Sequence, residues 1–195
     1  MIILYGGSFN PPTIAHYRLS KYLIEKYKPT QFIFIPVGDR YNWKSNLAPF
    51  RHRFEMVRIM CQHLKDAIVS DYEAQPEYKG TITTLRYFQS LYPNEEIVYV
   101  IGADNLLMIT KWLKYEELLK EFRFLVLQRN GINIEEFITT TLAPFKDSFI
   151  IESDAPLIEI AATDYRDLGR DDVCLAEINQ YIYEHKLYGR GEYHE

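Results

Sequence analysis

Residues 2–16 read IILYGGSFNPPTIAH. An apolar run, 2–5, stops at two glycines. Two prolines follow, then a threonine and a histidine, ahead of the periodic stretch HYRLSKYLIEKYK (16–28). A short run of Ile and Leu bounded by glycine fits a strand buried on both faces. In the periodic stretch Leu19, Tyr22, Leu23 and Tyr27 share one face at helical spacing, and Pro29 closes it. The next apolar run, FIFIPV (32–37), ends at Pro36 and Gly38. Strand, helix, strand is a βαβ unit, and that unit calls for a parallel sheet.

The alternation continues along the chain. AIVS (67–70), IVYVIG (97–102) and FLVLQ (124–128) read as further strands, and FIIE (149–152) as a weaker sixth. Between them FRHRFEMVRIMCQHL (50–64) aligns Phe50, Phe54, Val57, Cys61 and Leu64 on one stripe. TITTLRYFQSLY (81–92), YEELLKEF (115–122) and LAEINQYIYEH (175–185) read as helices in the same way. The pattern predicts an α/β fold: a Rossmann-like parallel sheet of five to six strands flanked by helices, with right-handed crossovers. There is no internal repeat, low-complexity stretch or linker, so residues 1–195 are expected to form a single domain.

Composition sets outer limits. With 195 residues, 47% hydrophobic and rich in Tyr and Phe, the chain can bury a substantial core, which excludes a disordered protein. The two cysteines, Cys61 and Cys174, are far apart and show no zinc or disulfide spacing, which points to a reducing, cytoplasmic location. No signal-peptide pattern and no run long enough to span a bilayer is present, so no membrane association is expected. A net charge of −5 argues against broad nucleic-acid binding.

In a doubly wound sheet, ligands bind outside the carboxyl ends of the strands. The opening stretch leaves strand one at that end and enters a helix. Gly6 and Gly7 let a ligand approach the backbone without a Cβ in the way. Pro11 and Pro12 stiffen the loop. Thr13 can cap the helix whose first turn is Ile14, Ala15 and His16. A helix N-terminus with free N–H groups suits a phosphate, and His16 can face the same anion. The plainer alternative, in which Thr13 is only a cap and His16 a surface histidine, stays open on spacing alone.

Residues 6–16, GGSFNPPTIAH, resemble the nucleotidyltransferase signature G-x-F-[DN]-P-x-[HT]-x-x-H. YVIGADNLLMITKW (99–112) is similar to the strand-four segment of nicotinate-nucleotide adenylyltransferases, with Gly102, Asp104 and Trp112 in matching places. GTITTLRYF (80–88) resembles that family's YTIDTLRYL helix start. EELLKEFRFLVLQRNG (116–131) and YIYEHKLYG (181–189) match its later segments. The resemblance runs from residue 2 to about residue 189.

Two departures stand out. Bacterial members usually carry H-x-G-H where this chain has Thr13-Ile14-Ala15-His16. The family's ISST-x-x-R appears here as IAATDYR (160–166), which keeps Thr163 and Arg166 but replaces both serines with Ala161 and Ala162.

The resemblance implies in-line attack of an acceptor 5′-phosphate on the ATP α-phosphorus, with pyrophosphate leaving. The acceptor would be nicotinate mononucleotide and the product deamido-NAD, a step in NAD biosynthesis. By resemblance Thr13, His16 and Arg166 are catalytic. ATP would be bound by Gly6, Gly7, Ser8, Phe9, His16, Gly102, Asp104, Thr163 and Arg166. Lys44 would lie near the acceptor phosphate, Trp112 would stack on the pyridine ring, and Thr81 would sit by its carboxylate. Mg²⁺ would accompany ATP, with few protein ligands. The family also points to a homo-oligomer.

Each residue has a plainer alternative. Asp104 could cap a helix beginning at Asn105, Trp112 could belong to the core, Lys44 could be a solvated loop charge, and Arg166 could pair with Asp164 or Asp167. His52, His63, His185 and His194 read as surface residues. Glu73 matches a family acidic position without a role. A transferase for another phosphorylated acceptor, such as phosphopantetheine, and a degenerate nucleotide-binding homologue are the competing functions. Thr81 and Trp112 weigh against the first, and His16 and Arg166 against the second.

Overall fold

The strands form where the apolar runs lie. In the computed structural model, which describes residues 1–40, 46–128 and 131–191, they are β1 (Ile2–Gly7), β2 (Gln31–Pro36), β3 (Ala67–Val69), β4 (Ile97–Gly102), β5 (Arg123–Leu127) and β6 (Phe149–Glu152). All pair in parallel, in the order β3-β2-β1-β4-β5-β6. Side chains alternate across this sheet, as the two-residue period demands. Ile2, Leu4, Ile33, Ile35, Ile97 and Ile101 enter one core. Ile3, Phe32, Phe34, Val98, Val100 and Leu125 enter the other. Burial on both faces explains why the strands read as continuous apolar runs.

Helices cover each face. Helices α3 (Thr81–Leu91), α4 (Ala103–Leu107), α5 (Tyr115–Glu121) and α6 (Ile134–Thr140) pack on the first core. Helices α1 (Ile14–Tyr27), α2 (Phe50–Cys61), α7 (Ala162–Leu168) and α8 (Ala176–Glu184) contribute to the second. Each fully buried Leu, Ile or Phe is worth about 1.5–3 kcal/mol relative to its exposed state, so this two-sided core dominates the fold's stability. Among the described residues no helix is long and apolar enough to cross a membrane.

Two helical stripes differ from their expected positions. Helix α1 buries Ser20, Leu23 and Ile24, whereas Leu19, Tyr22 and Tyr27 lie at the edge of that face. Helix α2 buries His52, Arg53, Met56, Val57 and Met60, while Phe50, Phe54 and Cys61 are only half-buried. The helix is turned toward the loop after β1 because the buried Arg53 guanidinium is used there. Helix α6, absent from the expected helices, carries Ile134, Phe137 and Ile138 at helical spacing and closes its first turn through Asn133, whose side chain accepts the Glu136 N–H at 3.1 Å.

Strand order places the switch point between β1 and β4. The β1–β4 ladder ends at the Tyr5–Val100 pair. Beyond it β1 stays with β2 to the Gly7–Pro36 pair, and β4 stays with β5 to the Gly102–Leu127 pair. The sheet therefore opens a crevice at its carboxyl edge, with Gly7 and Gly102 at the mouth. Ligands of doubly wound sheets bind in such a crevice.

Candidate active site

The loop after β1 is held from several sides. Arg53 is fully buried. Its Nε donates to the Ala48 carbonyl at 2.7 Å, Nη1 to the Ser8 carbonyl at 3.0 Å and Nη2 to Asp39 Oδ1 at 3.1 Å. The planar fork suits three acceptors arranged around one group. Asn10 is buried too. Its Nδ2 donates to the Asn46 carbonyl at 3.1 Å. Its Oδ1 accepts the Ala48 N–H at 2.9 Å and the Tyr188 hydroxyl at 2.8 Å. The Pro12 carbonyl accepts the Cys174 thiol at 3.4 Å. Cys61 and Cys174 are both free, and burial pushes each thiol up to about 12.

Thr13 is the N-cap of α1, with the extended φ of −108° and ψ of 169° typical of that position. The first helical bond runs from the Tyr17 N–H to the Thr13 carbonyl. His16 closes a reciprocal contact: its Nδ1 accepts the Thr13 backbone N–H at 2.9 Å and stands 2.9 Å from Thr13 Oγ1. A backbone N–H can only donate, so Nδ1 is the unprotonated nitrogen and the ring proton sits on Nε2. The ring edge rests on Phe9, 5.2 Å between centroids. Phe9 is buried against Tyr5 and Phe34. Its side chain belongs to the core, so only its backbone can meet a ligand.

The two glycines have neighbours within the protein. A Cβ on Gly6 would overlap the Tyr99 hydroxyl, and one on Gly7 would stand 3.0–3.3 Å from the Phe9 ring. Their missing side chains therefore make room for Tyr99 and Phe9, which corrects the expectation that the space was kept for a ligand.

Arg166 lies in α7, and its Nη1 donates to the Asn10 carbonyl. Among the described residues no ion pair joins it to Asp164 or Asp167. Asp164 instead accepts the Ala161 N–H at 2.8 Å. Ala161 is the N-cap of α7, so this carboxylate supplies the half of a capping box that needs no serine side chain. Thr163 is exposed in the first turn. Gly102 caps α4, which begins at Ala103, so Asp104 sits inside the first turn and is not the cap of a helix at Asn105.

A second group of residues lies at the start of α3, in the segment after β3 and in the turn after α4. Thr81 is buried at the start of α3, its Oγ1 3.0 Å from the Tyr78 hydroxyl. Gly80 precedes it at φ +83°, and Leu113 fills the place a Cβ would take. Trp112 is half-buried, packs against the first core and meets Tyr99 edge to face, 6.4 Å between centroids. Glu73 is half-buried nearby; its Oε1 accepts the Thr84 hydroxyl at 2.9 Å. Burial pushes its carboxyl up to about 7, against the opposing pull of the Thr84 bond. Lys44 lies outside the described residues.

Sequence reasoning missed Arg53, Asn10, Tyr188 and Tyr99. Arg53 falls beside the expected α2 stripe, one residue before Phe54, and reads there as a polar residue. His52 corrects a surface expectation: it is buried, its Nδ1 is 2.9 Å from the Tyr181 hydroxyl, and burial lowers its pKa, helped by Arg51 and His185. His185 packs on Tyr181, 4.2 Å between ring centroids, and His63 faces Glu177 at 3.4 Å. His194 lies outside the described residues.

The cytidylyltransferase-like family model matches residues 4–168. The "Probable nicotinate-nucleotide adenylyltransferase" of Acholeplasma laidlawii is 32% identical over 188 residues, covering 96% of this chain and 97% of that protein. The chain belongs to this family. The identically named protein of Caldicellulosiruptor saccharolyticus is also 32% identical, covering 96% and 98%. Among solved structures of nicotinate-nucleotide adenylyltransferases, the Plasmodium falciparum enzyme complexed with NaAD superposes with a TM-score of 0.80 at 21% identity, covering 96% of this chain and 97% of that one. At that identity the likeness shows the shared fold.

Proposed function

We propose that the crevice transfers AMP from ATP to nicotinate mononucleotide, giving deamido-NAD and pyrophosphate. The reading rests on family membership, and one observation in the site carries it. The hydrogen bond from Arg166 to the Asn10 carbonyl brings the IAATDYR segment onto the GGSFNPPTIAH loop. Two motifs far apart in sequence thus meet where the sheet opens.

The chemistry requires no nucleophilic side chain. The acceptor phosphate oxygen attacks the α-phosphorus, a P–O bond forms, and the bond to the pyrophosphate oxygen breaks. Catalysis then comes from positioning and from donors aimed at the charge that grows in the transition state. His16 supplies a neutral imidazole with its Nε2 proton toward the α- and β-phosphates. Thr13 fixes that ring. Arg166 supplies a fixed cation, and Thr163 a hydroxyl, for the β- and γ-phosphates. Backbone of Gly6, Gly7, Ser8 and Phe9 borders the reacting phosphates, and Gly102 and Asp104 take the nucleoside. Lys44, Thr81 and Trp112 serve the acceptor.

The loop residues offer hydroxyl, imidazole, guanidinium and N–H donors, which fit phosphate oxygens better than a metal. Among the described residues no group of three or more His, Cys, Asp or Glu is placed to hold a metal ion. Mg²⁺ bound to the triphosphate would neutralise its charge while keeping most of its water. A single nucleotidyltransferase domain, a homo-oligomeric assembly and a cytoplasmic location belong to the same reading, and sedimentation velocity measures the assembly. The activity itself is tested by pyrophosphate release from Mg-ATP with nicotinate mononucleotide, nicotinamide mononucleotide and phosphopantetheine as acceptors.

A further inference from the structure

Strand alternation puts Ile97, Tyr99 and Ile101 on one face of β4. Ile97 and Ile101 are buried, whereas Tyr99 is only half-buried. Its backbone pairs with Leu4, just before the β1–β4 ladder ends, and its side chain leans toward Gly6 at the carboxyl end of β1. The ring is fixed by two aromatic edges. Phe124 meets it at 6.1 Å and 75°, and Trp112 at 6.4 Å and 79°. At its far end the hydroxyl occupies the position that a Cβ on Gly6 would need, and the ring Cζ would stand 2.9 Å from that atom. One side chain thus meets both the end of β1 and the tryptophan that follows α4.

We propose that Tyr99 is a positioning residue that couples the two half-sites: its ring sets the plane of Trp112 for the acceptor's pyridine ring, and Gly6 is a glycine because Tyr99 needs the space. The coupling rests on the acceptor role given above to Trp112. It has a consequence that a phosphate-facing Gly6 would not share. A methyl group at residue 6 must push the Tyr99 ring aside, because the β1 backbone is held there in register with β2 through the Gly6–Ile35 and Gly7–Pro36 pairs. The displaced ring withdraws its edge from Trp112. A change at the end of β1 therefore appears as weaker acceptor binding.

The test uses the full chain with Trp43→Phe, which leaves Trp112 as the only tryptophan fluorophore. Nicotinate mononucleotide is titrated against Trp112 fluorescence, and KM for both substrates is measured in parallel. Tyr99→Leu is expected to weaken nicotinate mononucleotide binding about two- to tenfold, the worth of one edge-to-face aromatic pair. KM for ATP should stay within about twofold, since no ATP contact is removed. Tyr99→Phe keeps the ring and should retain acceptor affinity. Gly6→Ala should imitate Tyr99→Leu, and the double variant should be no worse than either, because both act through the same contact. Should Tyr99→Leu not fold, Gly6→Ala alone decides: a higher KM for ATP with unchanged acceptor affinity overturns the coupling. If Trp112→Ala weakens acceptor binding but neither Tyr99→Leu nor Gly6→Ala does, the acceptor site stands and the coupling fails. If Trp112→Ala binds the acceptor normally, the acceptor role of Trp112 fails and the coupling with it.

Discussion

His16 Nδ1 accepts the backbone N–H of Thr13, the residue that caps its own helix, at 2.9 Å. The bond fixes the ring, its tautomer and the turn that carries it. His16→Ala should lower kcat by about 10²–10³, the usual loss for one donor acting on transition-state charge, with a smaller change in KM for ATP. Steady-state kinetics measure the split. Nitrogen NMR of the same ring should show a neutral imidazole protonated on Nε2, and a proton on Nδ1 would contradict the assignment.

Arg53 holds the loop from below. Arg53→Met takes a hydrogen bond from each of the half-buried Ser8 and Ala48 carbonyls, at about 0.5–1.5 kcal/mol per bond lost. Chemical denaturation should show a loss of that order. KM for ATP should rise as well, because Ser8 is part of the proposed phosphate loop. Unchanged stability would mean that water replaces the guanidinium.

Asp164 accepts the N–H of Ala161, the N-cap of α7, and leaves the hydroxyl half of the capping box empty. Adding a hydroxyl with Ala161→Ser should stabilise the chain by about 0.5–2 kcal/mol, the usual worth of a serine N-cap over alanine. Because Arg166 is carried by the same helix, KM for ATP should fall in parallel. A gain in stability without any change in KM would separate the cap from nucleotide binding.

Glu73 makes stability depend on pH. Its carboxyl titrates near 7 in the folded chain, above its ordinary 4.5. Between those values the folded state holds the proton and the unfolded state does not, so stability falls as pH rises through this window and levels off above it. Glu73→Gln keeps an acceptor for the Thr84 hydroxyl and loses the titration. Its stability relative to the unmodified chain should therefore grow from pH 5 to pH 8 in urea unfolding curves. Parallel curves would place the carboxyl in water.

Much of this was legible in the sequence, and the reason is two-sided burial. Each of the six strands lies within a residue or two of its apolar run, because a strand covered on both faces leaves no room for polar alternation. Thr13 as a cap and His16 in the first turn were readable from spacing, since an N-cap is a local event. The helical faces were less legible. A buried Arg53 counts as polar in any periodic pattern, although its partners Ser8, Asp39 and Ala48 come from other parts of the chain. His52 was misread for the same reason, with Tyr181 more than a hundred residues away. The space beside Gly6 depends on Tyr99 in a neighbouring strand, and only the sheet order brings the two together.

Acceptor choice tests the proposed reaction most directly. Nicotinate mononucleotide carries a ring carboxylate, and the start of α3 around Thr81 offers backbone N–H groups to an anion. The amide of nicotinamide mononucleotide would bring its own NH₂ against those donors. The measurement is kcat/KM for pyrophosphate release at saturating Mg-ATP with each acceptor. The expected result is release with nicotinate mononucleotide, favoured at least about tenfold over the amide, or roughly 1.4 kcal/mol. Equal values for the two acceptors would contradict the selectivity, and no release with nicotinate mononucleotide would contradict the function itself.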